Sequence, residues 1–386
     1  MIKTFKNKAL LATVAIVMVS GMAHAEETIK VGILMPISGG GASYGVPAVD
    51  GVKMAVDEIN AAGGVDGMKI EYFVRDSQLK PDVAVAAARE LITKEGVQVL
   101  VGAVSSGATL AISELAKQEK IPLLAPVAKA AALTSTKLHP YIFQLAATTD
   151  SEGRQMADAL ATVGAKKICV SGFDYAYSHD LFESLDKNLK DGMEIVDTFN
   201  VKLGTTDYSA VISQLMGSDC DTVAGAVWGG GFIAYMKQAG PFGIFDTKKL
   251  VWAAEVGSSE MAGALKGDYP EGMWAAAYDL WYFEGSDAHK KFQADLAVLE
   301  GTNETKMYPV TTYIAIQFIA EAVRKAGSAD PQAIAKALVG LSVETPLGTR
   351  TIDPDNHRTN TGEFWGPMVT VEGSEAKQMS PATYLE

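Results

Sequence analysis

From residue 29 onward the sequence alternates short apolar runs with stretches of helical periodicity, joined by short connections. Ile29-Lys30-Val31-Gly32-Ile33-Leu34-Met35-Pro36 is an apolar run that ends at a Gly/Ser loop. Val49, Val52, Met54, Ala55 and Ile59 then recur at helical spacing and stop at Gly63-Gly64. A strand over 69–75, an Ala-rich helix over 82–95, a strand over 97–104, a helix over 108–118 and a strand over 121–125 follow. Apolar strands alternating with helices read as a parallel sheet covered on both faces. The cadence restarts after Thr148, with helices expected over 150–163, 178–190, 208–216 and 232–239. The strands between and after them are expected over 167–172, 194–201, 222–228 and 250–256. Beyond 272–278 the periodicity changes to three helices, over 287–299, 310–326 and 331–339, and short β-like pieces close the chain at 349–352 and 367–371. The expected class is α/β, with two Rossmann-like units in succession and no tandem repeat.

Composition matters for what it excludes. A chain of 386 residues that is 48% apolar and 20% charged has material for more than one core. Its 33 Lys and Arg against 46 Asp and Glu give a net charge of -13, which lacks the basic footprint of a nucleic-acid binder. Lys3, Lys6 and Lys8 precede the apolar run 9–18, and Ala23-His24-Ala25 supplies small-x-small before Glu26-Glu27. Residues 1–25 therefore read as a signal peptide cleaved after Ala25. The run is too short for a membrane span, and no later stretch is long and apolar enough. The mature protein is expected to be exported and soluble.

Cys169 falls in the strand over 167–171 and Cys220 just before the strand over 222–228. An exported protein can join two cysteines, but two buried free thiols are the expectation here, with a disulfide the alternative. No metal site is expected, because neither cysteine has a ligand-spaced partner and the five histidines are scattered. No cofactor is expected either.

In an open α/β sheet a ligand sits beyond the carboxyl ends of the strands. Five such ends carry suggestive residues. Ser38-Gly39-Gly40-Gly41-Ala42-Ser43-Tyr44-Gly45 follows the first strand; its spacing is not G-x-G-x-x-G and no Walker lysine follows, so a nucleotide loop is disfavoured. Ser105-Ser106-Gly107-Ala108-Thr109 opens a helix whose free N–H groups and serine hydroxyls attract a carboxylate, and Ser106 is expected to cap that helix as well. A catalytic serine there would want a G-x-S-x-G elbow, which Gly102-Ala103-Val104-Ser105-Ser106 does not provide. In the second half, Asp174-Tyr175-Ala176-Tyr177 and Trp228-Gly229-Gly230-Gly231 each follow a strand. Glu255 ends an otherwise apolar strand, where burying its charge requires either a ligand cation or an internal Lys or Arg.

These residues resemble the periplasmic leucine/isoleucine/valine-type solute-binding proteins of ABC importers, the type I periplasmic binding proteins. The likeness runs over the mature chain, through 31–44 with Ile37-Ser38-Gly39, Asp50-Gly51-Val52, Ile59-Asn60-Ala61-Ala62-Gly63-Gly64, the segment 101–106, and Ala125-Pro126-Val127-Ala128. The resemblance implies two lobes with central parallel sheets and three hinge crossings, closing on a small molecule. The crossings are expected near 146–149, 278–283 and 344–348. Lobe one is then 26–146 with 281–345, and lobe two 147–280 with 346–386. It further implies that Ser106 helps hold a ligand carboxylate and ammonium, that Glu255 pairs with the ammonium, and that Tyr44, Tyr177 and Trp228 wall the pocket.

One departure stands out. Amino-acid binders commonly carry threonine after Pro-x-Ala, and this sequence has Lys129 there, following Ala128. The expected ligand set is Tyr44, Ser105, Ser106, Ala128, Lys129, Tyr177, Trp228 and Glu255. The expected function is a periplasmic, non-enzymatic and monomeric solute-binding component that traps a carboxylate-bearing molecule, an amino acid of branched-chain type, and delivers it to a membrane permease. The alternatives are a binder of aromatic acids or amides in the same family, a periplasmic sensor subunit, and an exported hydrolase using Ser105 or Ser106.

Overall fold

The computed structural model describes residues 28–385 together with Met1; the expected signal peptide and its cleavage site therefore lie outside the described residues, Met1 apart. The first sheet is built from β1 (Thr28–Met35), β2 (Lys69–Asp76), β3 (Val99–Gly102), β4 (Leu123–Ala125) and β5 (Ile142–Gln144). Its strands run parallel in the order β2-β1-β3-β4-β5. Every residue of β3, β4 and β5 is buried, as expected when helices cover both faces. Those helices include α1 (Ala42–Ala61), α2 (Pro81–Glu90) and α3 (Ser106–Glu119). β5 was not anticipated in the sequence, because three residues are too few to display a period.

The chain then leaves this sheet through α4 (Thr149–Thr162). A second sheet follows, from β6 (Lys167–Gly172), α5 (Ala176–Asn188), β7 (Glu194–Thr198), α6 (Ser209–Gly217), β8 (Thr222–Ala226), α7 (Gly229–Ala239), α8 (Ile244–Thr247), β9 (Lys249–Trp252), α9 (Ser259–Leu265) and β10 (Trp274–Ala277). After β10 come α10 (Asp287–Glu300), α11 (Pro309–Ala326) and α12 (Pro331–Leu338), of which α11 packs against α1 on the first sheet. That approach is close enough to require glycine at Gly51, where an added Cβ would lie 1.9 Å from the Pro309 carbonyl oxygen.

The last elements are the hairpin β11 (Ser342–Thr345) and β12 (Gly348–Thr351), then β13 (Glu363–Val369), β14 (Gln378–Met379) and β15 (Thr383–Leu385). The second sheet has the order β14-β13-β10-β9-β8-β6-β7, with β15 also pairing with β13. Its strands are parallel from β7 to β10, while β13 is antiparallel to β10, β14 and β15. The expected crossing at 344–348 falls inside the β11–β12 hairpin. The chain enters the second sheet only at Glu363, after Arg358 has bridged to Gln144 at the edge of the first. Pro346 and the neighbouring Leu347 make a turn there, and a break in cadence at such a turn resembles a crossing in the sequence. Among the described residues no helix is long and apolar enough to cross a membrane.

The expectation of free thiols is corrected. Cys169 and Cys220 form a disulfide with Cα atoms 5.7 Å apart. The cause is topological: β6 and β8 are immediate neighbours in register Cys169↔Val223, which brings the residue leading into β8 alongside β6. The bridge closes a loop with a sequence separation of 51. For a loop of this size, removing the crosslink costs about 2–4 kcal/mol through the unfolded chain. The double variant Cys169→Ala/Cys220→Ala is therefore expected to unfold at lower urea concentration than the native chain. Adding a reductant should lower the native midpoint toward that of the variant and leave the variant unmoved.

Candidate functional site

The carboxyl ends of β3 and β4 and the head of α1 meet those of β6, β8 and β9 across a cleft. At the β3 end, Ser105 caps α3: its hydroxyl accepts from Ala108 N at 3.4 Å and its carbonyl from Thr109 N at 2.9 Å. The cap is therefore Ser105 and not Ser106 as expected, because the helix already begins at Ser106, and Ser105 is committed to the helix. Ser106, the first residue of α3, lines the cleft, and the N–H groups of Ser106 and Gly107 have no acceptor within the helix. Ala128 is buried in the core beside the cleft, and its carbonyl accepts from the Gln144 side chain at 3.0 Å. Val127 lines the cleft in its place.

Tyr44 ties the two sheets together. Its hydroxyl accepts from Gly229 N at 2.9 Å and donates to the Ala254 carbonyl at 3.1 Å. Gly229 must be glycine for this: its φ is +58°, and a Cβ would lie 2.9 Å from the Gly40 carbonyl across the cleft. Around Tyr44 stands a wall of rings. Trp228 stacks on it at 5.6 Å between centroids, Tyr308 lies behind it at 4.3 Å, and the Tyr175 hydroxyl accepts from Trp228 Nε1 at 2.9 Å. Tyr177 lies 6.1 Å from Tyr175. Burial holds the Tyr44, Tyr175 and Tyr177 hydroxyls well above the ordinary phenol range, so all three remain neutral donors.

The centre of the site is an ionic cluster. Lys129, on the loop after β4, extends its ammonium to Glu152 Oε1 at 2.7 Å and into contact with Glu255 Oε1 and Glu363 Oε1. All four side chains are at most 5% exposed. The lysine belongs to the first sheet's side, and the three acids to α4, the β9–α9 loop and the first residue of β13. Glu152 is held further by Ala254 N at 2.9 Å and by the Tyr177 hydroxyl, which donates to its second oxygen at 2.9 Å. The Tyr278 ring lies 5.0 Å beneath the ammonium. Ala254 and Glu255 both have positive φ, 61° and 55°, a costly pair of conformations for residues with a Cβ that aims the Glu255 carboxyl at the cleft.

Charge and burial compete here. Burial alone would lower the Lys129 pKa, but the Glu152, Glu255 and Glu363 carboxylates outweigh it and hold the ammonium well above its usual value. For Glu255 burial dominates: its pKa is pushed well above 4.5, opposed by Lys129 and aided by repulsion from Glu363 and Glu152. Glu152 is raised for the same reasons in the same order, burial against Lys129. Three acids facing one base leave an excess of negative charge, which favours the uptake of a proton or of a second cation.

Six of the residues expected from the sequence, Tyr44, Ser106, Lys129, Tyr177, Trp228 and Glu255, line one cavity of about 20 Å³ together with Val104, Val127, Tyr175 and Ala254. Trp228 also borders a larger cleft of about 500 Å³ lined by Gly40, Leu79, Phe173 and Leu203. Ser105 and Ala128 stand outside the small cavity. Sequence reasoning missed Glu152 and Glu363. The three acids lie close enough to one another to hold a metal ion, and the Lys129 ammonium stands among them.

Among the described residues the serine bonded to a histidine ring is Ser113, whose hydroxyl lies 2.8 Å from His139 Nε2. His139 Nδ1 accepts from Tyr141 N, so Nε2 carries the proton and cannot take one from the serine. Neither Ser105 nor Ser106 has a histidine partner among the described residues.

The comparisons with known proteins agree on one family. A sequence profile of the periplasmic binding proteins matches residues 28–373. The leucine-, isoleucine-, valine-, threonine- and alanine-binding protein of Pseudomonas aeruginosa is 29% identical over 356 residues, covering 91% of this chain and 92% of that one. The Leu/Ile/Val-binding protein of Escherichia coli K12 is 27% identical over 359 residues, covering 90% and 92%. Among solved structures, the substrate-binding protein of a branched-chain amino acid transporter from Streptococcus pneumoniae, in complex with isoleucine, superposes with a TM-score of 0.81 at 25% identity over 93% of this chain and 99% of that one. A solute-binding protein of an ABC transporter from Rhodopseudomonas palustris BisB5, in complex with 3,4-dihydroxybenzoic acid, superposes with a TM-score of 0.84 at 25% identity over 92% and 97%.

The raised acids make a pH prediction. An acid with a higher pKa folded than unfolded binds its proton more tightly in the fold. Its contribution is fully present below the ordinary value of 4.5 and is lost as pH rises through the raised one. Stability measured by urea unfolding from about pH 4 to pH 8 should therefore carry a declining component that Glu255→Gln removes. Parallel curves for the native chain and the variant would contradict this assignment.

Proposed function

The chain belongs to the periplasmic binding protein family, the solute-binding components of ABC importers, and we propose that its own solute is an amino acid of the branched-chain class. The observation that carries this reading is the convergence of three buried carboxylates on one ammonium beside the open head of α3. A zwitterion answers both halves. Its ammonium balances the surplus acid at Glu255, and its carboxylate takes the Ser106 hydroxyl and the N–H groups that start α3. Tyr44, Tyr177 and Trp228, with Val104 and Val127, enclose the apolar side chain.

The protein is exported to the periplasm after cleavage at Ala25, works as a monomer without catalysing a reaction, and hands its solute to a membrane permease. Its lobes are residues 26–146 with 281 to about 358, and 147–280 with 363–386. A cavity of about 20 Å³ has room for a water molecule, so the solute enters with the lobes apart and is enclosed as they close.

A second reading has its own support. The four rings around the cavity also suit an aromatic acid without an amine, the class of compound bound to the Rhodopseudomonas relative. Titration calorimetry with L-leucine and with benzoate separates the two. The zwitterion reading expects leucine binding that Glu255→Gln weakens about 10- to 100-fold, the worth of one charge-assisted hydrogen bond. Unchanged leucine affinity in that variant, or benzoate bound more tightly than leucine by the native chain, overturns it.

A further inference from the structure

The residue that the sequence comparison with amino-acid binders leaves unexplained is Lys129, and the structure gives it a specific place. Its ammonium does not line the cavity as a donor awaiting an anion. It is turned into the second lobe, against Glu152, Glu255 and Glu363, with the Tyr278 ring beneath it. These are the partners a solute ammonium would take. The lysine comes from the other side of the cleft: its own carbonyl accepts from Thr149 N at 2.9 Å, at the head of α4, so its backbone is anchored where the chain first crosses between the sheets. A second feature points to a seat built for more than one cation. The fully buried Glu363 has an oxygen, Oε2, without a hydrogen-bond partner beside the occupied Oε1.

We infer that Lys129 is a tethered ammonium that fills the solute's ammonium seat and draws the lobes together when no solute is present, so that only solutes whose own cation displaces or joins it are held. This rests on the zwitterion reading for the solute's identity, but not for the seat itself. Physically it follows from the arithmetic of charge. With the lysine seated, one base faces three acids. Removing it leaves the acids without a counter-ion, and their mutual repulsion is relieved by opening to water or by accepting a cation from solution. Lys129 thereby sets specificity: an anion lacking an amine gains nothing from the acids, whereas an ammonium competes for them.

The test uses Lys129→Met and Lys129→Ala in the full mature chain. Lys129→Met/Glu363→Gln, which removes one charge of each sign, serves as the second variant should the single changes unfold. In dialysed protein, small-angle scattering is expected to show a larger radius of gyration for Lys129→Met than for the native chain. n-Butylammonium, which has the four carbons and the ammonium of a lysine side chain, is expected to raise the melting temperature of Lys129→Ala and to return its scattering to the native value. Butyrate should do neither, and the native chain should not respond to n-butylammonium.

By calorimetry, L-leucine affinity should rise about tenfold in Lys129→Met, because a competitor has been removed. A fall in leucine affinity comparable with that of Glu255→Gln would overturn the inference, since Lys129 would then be a direct ligand of the solute. So would identical scattering of Lys129→Met and the native chain, or no response of Lys129→Ala to n-butylammonium. If n-butylammonium acts as described while leucine binds none of the proteins, the tethered ammonium stands and the amino-acid reading falls.

Discussion

One buried ammonium facing three buried carboxylates is the interaction on which the rest of this site depends. Each of these charges is expensive alone: losing one partner of a buried ion pair costs about 3–5 kcal/mol, because the charge left behind has neither water nor a counter-ion. The four groups therefore come as a set. They are drawn from the loop after β4, from α4, from the β9–α9 loop and from the start of β13, and so from both sheets. An interaction that is satisfied only when two sheets meet is a natural way to couple binding chemistry to the approach of two lobes.

The surrounding structure serves this cluster. Glu152 sits in the first turn of α4, where the Thr148 hydroxyl and Ser151 cap the helix reciprocally, and it lies on the same buried stripe as Gln155, Met156, Ala159 and Leu160. Its carboxylate also accepts from Ala254 N, which steadies the two left-handed residues that present Glu255. The strain there is local and is retained at the place where the chemistry is concentrated. Tyr44, which joins Gly229 and Ala254 across the cleft, adds a neutral bridge beside the ionic one.

The alternation of strand and helix was legible for most of the chain, because parallel strands buried on both faces advertise themselves as apolar runs, while three-residue β5 and the short α8 and α9 were too brief to show a period. The rule that ligands gather at the carboxyl ends of such strands was enough to pick out Tyr44, Ser106, Tyr177, Trp228 and Glu255 by position. Less legible was anything that depends on which strands become neighbours. The Cys169–Cys220 bridge needs β6 beside β8, and Glu363 joins the site only because β13 adds to the second sheet antiparallel to β10. Glu152 did leave a signal, an acid on the apolar stripe of its helix, but a first-turn acid also reads as an ordinary dipole partner. Lys129 was visible as a departure from a familiar pattern, while its direction, into the acids rather than toward a solute carboxylate, required coordinates. The hairpin at 342–351 had the composition of a crossing and the geometry of a turn.

If the proposed zwitterion is the solute, the molecule held in the cleft carries an ammonium. Native mass spectrometry of the mature protein, followed by denaturation and identification of the released small molecule, addresses it most directly. The expected result is a released zwitterion, an amino acid whose mass is that of leucine, isoleucine, valine or a close analogue. Release of an aromatic acid without an amine would contradict it.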